Sequence, residues 1–432
     1  MKSSRPRSSF LFGLGGWGAA LLVLGLGLRV GYAAYALRTG ISSSHSDEYE
    51  TVAINLVEGR GYAGLPHDTK PSAAREPVFV LLIAFLYKVF GQRPLVVLAV
   101  QSALNVGACL LLAEIARRLS GLLAARLTLA IGLFYPFFVF YCAYFYRETI
   151  LTVAVCGVLY LAGNLLRKPT IAIAALTGLA LGLCAAAMST FLLVDAVLAP
   201  YIVWKLIARF RAVAPALVFC VCTTLLPGTW LIRNYVVFHR VIPGSTLGGY
   251  NLYTTLIVPE EDRGTARELE IERGDALWPR LIAMSSLMTD DGSQQEAFLA
   301  AAKSYARAHP AAYLLHMPKQ AAKLWRFYPY ERKYQHSYAL IKALSLLSDG
   351  WLIPLGLWGL WLLRRRGPEP ALAALLIAGG TLAYALVAAI MRYRLPFMPA
   401  LLVGAATVLA EKLAPALGIA KNPEIGFHKG ST

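Results

Sequence analysis

From residue 11 to residue 413 the chain carries long, unbroken apolar runs separated by short polar breaks and one long polar stretch, about 233–345. Runs of this kind predict membrane-spanning helices, since a helix satisfies all its backbone hydrogen bonds within one segment. They argue against a β-barrel, whose strands alternate apolar and polar positions. Ten spans are predicted: about 11–37, 94–115, 122–141, 149–166, two within 170–207, then 213–232, 346–363, 370–390 and 396–413. The pair within 170–207 needs a tight turn near Met188-Ser189-Thr190. The apolar run Pro77 to Phe90 falls short of the roughly 20 residues that crossing requires, and is expected to lie in the outer interface.

The positions of the cations give the spans a direction. Lys2, Arg5 and Arg7 precede the first span. Arg117 and Arg118, Arg167 and Lys168, Lys205, Arg209 and Arg211, Arg364 to Arg366, and Lys421 and Lys429 then recur at alternate breaks. The positive-inside rule places all of these in the cytoplasm. The placement of Arg117 and Arg118 depends on the 77–90 run staying on the outer side. The first run is too long for the apolar part of a signal peptide and is expected to be an anchor.

The reading is therefore an all-α polytopic membrane protein of about ten transmembrane helices. Residues 1–232 form an N-terminal module, 233–345 a polar outer insert, and 346–432 the last helices and a cytoplasmic tail. Within the insert, Gln295 to Ala308 and Ala311 to Tyr328 have helical patterns. The second carries Leu314, Leu315, Lys319, Lys323 and Arg326 and is expected to lie on the membrane as an amphipathic helix. Weak core patterning predicts an insert that packs on the membrane helices.

Composition supports this and removes other classes. Hydrophobic residues make up 57% of the 432 and charged ones 15%, against about 25% charged in soluble domains. The net charge of +17 fits loops facing anionic lipid, and also fits an anionic substrate such as a lipid phosphate. Six cysteines lie in or beside apolar runs without C-x-x-C spacing, which suits small buried hydrophobes better than a disulfide framework or zinc site. No phosphate-binding P-loop motif is present. The cations flank spans rather than forming one face, so nucleic acid is not an expected partner; membrane lipid is.

The outer breaks carry the candidate chemistry. His45-Ser46-Asp47-Glu48-Tyr49-Glu50 follows the first span, and carboxylates cost free energy so near hydrocarbon. Arg75 and Glu76, Arg147 and Glu148, Arg233, and Arg392 and Arg394 reach the same side. Arginine suits bidentate recognition of phosphate, and a carboxylate outside the membrane can take a proton from an acceptor hydroxyl or amine. Together they suit transfer of a sugar from a lipid phosphate. Simpler roles stand beside this one. Asp47 also suits a helix N-cap. Arg75 and Glu76 also suit pairing with each other. Glu148 also suits a helix N-terminus, and Arg392 and Arg394 interface anchoring. His45 suits plain exposure, and Tyr49, Tyr62 and Tyr250 an aromatic belt.

The acidic pair Asp47-Glu48, the segment Ala53 to Tyr62, Arg75-Glu76-Pro77 leading into a run that ends at Phe90-Gly91, Glu148, and Arg392-Tyr393-Arg394-Leu395-Pro396 resemble the GT-C fold glycosyltransferases. The branch is that of bacterial protein-mannosyltransferase-like and aminoarabinose-transferase-like enzymes. The resemblance is strongest over about 10–165, with islands at 233–252 and 392–399. It implies a polyprenyl-phosphate sugar donor, a periplasmic acceptor (lipid, glycan or protein), and a bacterial inner-membrane location with the site facing the periplasm. It makes Asp47 the expected base and Glu48 its catalytic neighbour. Arg75, Glu76, Glu148, Arg233, Arg392 and Arg394 become expected substrate-binding residues. It leaves open a possible divalent metal, with Glu76 and Glu148 as candidate ligands. The competing class is a transporter or flippase of a lipid-linked saccharide. Asp195, an acid within the sixth expected span, speaks for that class, while the absence of a visible inverted repeat speaks against it.

Overall fold

The computed structural model describes residues 10–41, 48–64, 66–258, 270–271, 274, 291–330 and 338–416, with only the backbone of 10–15. His45, Ser46 and Asp47 lie outside the described residues.

Among the described residues the architecture is entirely helical. The chain runs α1 (Phe10–Arg38), α2 (Tyr49–Val57), α3 (Pro77–Phe90), α4 (Pro94–Ser120), α5 (Leu122–Phe134), α6 (Pro136–Tyr141), α7 (Glu148–Leu165), α8 (Ile171–Ala187), α9 (Phe191–Phe210) and α10 (Val213–Phe238). It continues through α11 (Gly248–Ile257), α12 (Asp291–Ala308), α13 (Pro310–Leu324), α14 (Tyr338–Leu363) and α15 (Glu369–Leu386). A 3-10 helix (Met391–Phe397) and α16 (Met398–Ala416) follow.

Eight of these helices are long and apolar enough to cross a membrane. The expected third and fifth spans correspond to α5 and α8, which are shorter, at 13 and 17 residues. The third differs from expectation for a local reason. Pro136 has no N–H to donate and pushes Tyr135 to an extended backbone (φ −64°, ψ 118°), so the expected single span 122–141 breaks into α5 and α6. The turn expected at residues 188–190 is present between α8 and α9. Helix α14 begins at Tyr338, eight residues before the expected start, so it includes Asp349 well inside it.

The two ends of the bundle separate the charges as the sidedness reading requires. At one end Arg118 donates to Asn164 (2.5 Å) and Tyr160 (2.9 Å), Arg366 to Ser120 (3.3 Å), and Arg167 pairs with Glu369. The other end holds Arg147, Glu148 and the α8–α9 turn. Helix α7 separates Glu148 from Arg167 by about 27 Å at 1.5 Å per residue. Helix α3 does not connect the two ends. Arg75, before it, meets Glu48, and Gln92, after it, meets Glu58 of the same outer loop (3.4 Å).

Close helix crossings rest on small residues, which let backbones approach where lipid supplies no hydrophobic drive. A Cβ on Gly182 of α8 would lie 2.4 Å from the carbonyl oxygen of Thr223 in α10. One on Gly359 of α14 would lie 1.9 Å from that of Gly404 in α16. Arg29, buried within α1, ties three helices together. It donates to Asn105 Oδ1 (3.1 and 3.0 Å) and to the carbonyls of Gly25 (2.9 Å), Leu133 (2.6 Å) and Gly132 (3.1 Å).

The insert is fastened to the bundle at several points. Ser72 Oγ donates to Asp291 (2.6 Å), the Thr246 amide to the Ala73 carbonyl (3.0 Å), and Thr255 Oγ1 to the Val387 carbonyl (3.3 Å). Its own small core is Tyr253, Phe298, Ala301 and Ala302 between α11 and α12. Helix α13 carries the amphipathic pattern, with Leu314 and Leu315 exposed. Its inner face docks on the region around α15: Tyr313 donates to the Leu386 carbonyl (3.0 Å), and Gln320 accepts from the Ala389 amide (2.8 Å).

Candidate functional site

Of the expected site residues that are described, Glu48, Arg75, Glu76, Glu148 and Arg392 gather at one end of the bundle, in a pattern their order in the chain does not suggest. Arg75 and Glu76 do not pair with each other. Arg75 Nη2 lies 3.2 Å from Glu48 Oε2, with its guanidinium 5.7 Å from the Tyr49 ring. Glu76 turns the other way. Its Oε1 accepts from the amide (3.1 Å) and hydroxyl (3.0 Å) of Ser189, and its Oε2 pairs with Arg147. Arg147 and Glu148 likewise face different partners, and Glu148 Oε1 lies 3.1 Å from Arg392 Nε. Three ion pairs thus run sideways from the first outer loop to the 3-10 helix, each linking a different pair of elements.

Their environments are not alike. Glu48 is well exposed, with a side chain 61% accessible, and its backbone sits in the left-handed region (φ 61°) before α2. Glu76 and Glu148 are buried. Burial is the largest influence on Arg147 and works against its charge, but Glu76, Tyr49, Tyr393 and Glu148 together outweigh it, so the Arg147 pKa is raised well above the ordinary value. Glu148 opens α7, where the helix dipole favours an anion. The Glu148–Arg392 approach lies off the hydrogen-bond axis, and neither carboxylate oxygen accepts a hydrogen bond among the described residues. It is a charge contact. Tyr49 is buried against Phe79 rather than belted, and burial pushes its hydroxyl pKa up, which keeps it neutral.

The 3-10 helix explains why Arg392 and Arg394 diverge. At three residues per turn, positions two apart project roughly 120° apart. Arg392 faces forward, its guanidinium 4.2 Å from the Tyr146 ring centroid. Arg394 points back and is buried, pairing with Asp349 and donating to the Arg326 carbonyl. Asp349 is itself fully buried and accepts from Tyr135 Oη at 2.5 Å. An acid within an apolar helix is a signal in itself, missed because Asp349 fell in the first turn of the span expected at 346–363.

Arg392 opens onto a cavity of about 710 Å³. Its walls are Leu28 and Tyr32 of α1, the aromatic run from Phe134 to Tyr141 around the Pro136 break, Ile341 and Leu344 of α14, and Ile390 and Met391. Lys323, Arg326, Tyr328 and Tyr330 close it, with the Arg326 guanidinium 3.7 Å from the Tyr330 ring centroid. Among the described residues the lining has three cations and no carboxylate. Lys323 and Arg326 were expected on a membrane-lying helix. The fold brings the end of that helix to the cavity, which an amphipathic pattern alone does not reveal.

Arg233 is not brought to this cavity. It donates to the Ser72 carbonyl (2.9 Å) and Asn234 Oδ1 (2.9 Å), and packs among Tyr62, Trp230 and Phe238. In this position it fastens the insert to the first outer loop. The Glu76 oxygens are taken by Arg147 and Ser189, Glu148 faces Arg392, and no three His, Cys, Asp or Glu side chains come together among the described residues. Asp195 is buried in α9, away from these residues in the chain, with Oδ1 unbonded among the described residues.

Solved structures decide the fold. The oligosaccharyltransferase of Archaeoglobus fulgidus in its apo form aligns with a TM-score of 0.51 at 14% identity. The alignment covers 97% of this chain and 53% of that one. The same enzyme tethered to an acceptor peptide containing the NVT sequon aligns at 0.50 with 13% identity, covering 97% and 52%. The chain has the GT-C fold. It spans about half the length of those oligosaccharyltransferase chains. ArnT from Cupriavidus metallidurans aligns more loosely, at 0.38 with 16% identity over 95% of this chain and 82% of that one, and nothing is inferred from it. No protein-family model and no curated protein matches the sequence. At these identities the GT-C likeness concerns the architecture, and the chemistry has to be read from the side chains.

Proposed function

We propose that the chain is a multi-pass membrane glycosyltransferase that moves a sugar from a polyprenyl-phosphate donor to an acceptor on the outer side of the membrane. The donor class is carried by the cavity, whose aromatic and aliphatic walls hold three cations and no described carboxylate. That is the chemistry of a long apolar chain ending in phosphate. The shared fold with an oligosaccharyltransferase agrees with it.

In this reading the acceptor hydroxyl or amine attacks the anomeric carbon and gives its proton to Asp47. The bond from that carbon to the phosphate oxygen breaks, and the polyprenyl phosphate leaves. Arg392, Arg326 and Lys323 stabilise the charge growing on the phosphate, so no separate acid is needed. Glu48 and Arg75 shape the approach to the base. Glu76 and Glu148 hold Arg147 and Arg392 in place. The positive-inside pattern supports a site on the non-cytoplasmic side, which in a bacterial inner membrane is the periplasmic face.

The test is donor consumption. Membranes containing wild type or Asp47→Asn receive a radiolabelled polyprenyl-phosphate sugar. Wild type is expected to release sugar from the donor, and the variant to lose at least about a hundredfold in rate with insertion unchanged. If wild type leaves the donor intact, the transferase reading fails. Equal consumption by both proteins removes Asp47 as the base.

A further inference from the structure

Behind the cavity wall lies a second polar layer that touches no cavity surface at its deepest point. Asp349, fully buried in α14, sits at its centre. One carboxylate oxygen accepts from Tyr135 at the α5–α6 break, and the other pairs with Arg394 of the 3-10 helix. The other guanidinium nitrogen of Arg394 donates to the main-chain carbonyl of Arg326. The side chain of that same Arg326 lines the cavity. A buried carboxylate is costly to keep unless its partners use it, and here one partner, Arg394, leads to the backbone that carries a cavity cation.

We propose that Asp349 is a positioning residue for the phosphate end of the donor, acting through Arg394 on Arg326. This rests on the polyprenyl-phosphate reading of the cavity. The logic is that of preorganisation. Arg326 follows the end of α13; its amide still bonds back to the Lys323 carbonyl (3.4 Å), but its own carbonyl has no helical partner and is held from outside the helix by Arg394. Arg394 supplies that anchor only while its own charge is held by Asp349. Tyr135 fixes the carboxylate in turn, and it is available because Pro136 interrupts the span.

The experiment uses purified full-length protein in detergent and measures binding of undecaprenyl phosphate and, as an uncharged control, undecaprenol. Asp349→Asn is expected to weaken undecaprenyl phosphate binding about tenfold and leave undecaprenol binding unchanged. Arg326→Ala should lose a similar factor, and adding Asp349→Asn to it should cost little more, because the carboxylate acts through that arginine. If Asp349→Asn does not fold, Tyr135→Phe serves instead. It is expected to weaken phosphate binding about threefold, again only when Arg326 is present. Wild-type affinity in whichever of these two variants folds overturns the proposal. So does a loss that adds in full to that of Arg326→Ala, or an equal loss for undecaprenol, which marks a merely structural role. Failure of wild type to prefer the phosphate over the alcohol instead sinks the donor reading on which the proposal stands.

Discussion

The two ends of the bundle handle charge in opposite ways. At the end carrying Arg117, Arg118 and Arg366, ion pairs are local or open to solvent. Glu114 pairs with Arg117 and Arg118 one turn along its own helix, and Arg366 meets a Glu411 that is 40% exposed. At the opposite end, Glu76, Glu148 and Asp349 are each 2% exposed or less, and each meets an arginine from a distant part of the chain. Surface pairs cost little and contribute little; buried pairs carry a desolvation penalty that their attraction only partly repays. Three such pairs at one end, one of them with an arginine that lines the cavity, are consistent with a cost of holding arginines in fixed positions. Glu369 is the exception at the first end, buried while its partner Arg167 remains 35% exposed.

Removing acids one at a time sharpens this contrast. The largest expected loss is for Glu76→Ala, which strands Arg147 in a buried site; unfolding in mixed micelles should show a destabilisation of about 3–5 kcal/mol. A loss below that of a surface pair would mean the outer end is wetter than its geometry implies. Glu369→Gln should be intermediate, about 1–3 kcal/mol by the same measurement, since Arg167 can turn to water. Arg117→Ala should change stability by no more than about 0.5 kcal/mol, because Glu114 keeps Arg118 and the lost pair lies at the surface. If the three variants lose equally, burial is not what separates the two ends.

Much of the outline was legible before any coordinates. Continuous apolar runs, basic breaks and the shortness of 77–90 were enough for the helix order, for an α3 that does not connect the two ends of the bundle, and for the gathering of Glu48, Glu76 and Glu148 at one of them. The same patterns misjudged particular places. Pro136 divided an expected span, because periodicity counts apolar residues without weighing one missing N–H. Asp349 escaped notice because a start set by hydropathy at 346 put it at the edge of the span, while the helix begins at Tyr338. Lys323 and Arg326 were read as membrane contacts, since an amphipathic face says that a surface will be covered and not by what.

The sequence by itself determined which segments are long and apolar enough to span and which polar breaks lie at the same end, because that is a matter of length, hydropathy and flanking charge within each segment. Only the tertiary structure decided who pairs with whom. Arg75 and Glu76 are neighbours in the chain, yet they serve Glu48 on one side and Arg147 and Ser189 on the other. Arg392 and Arg394 stand two residues apart, yet one faces the cavity and the other supports it from behind. Pairing depends on the direction in which each side chain leaves its helix and on which distant helix packs there, and neither is written in local pattern.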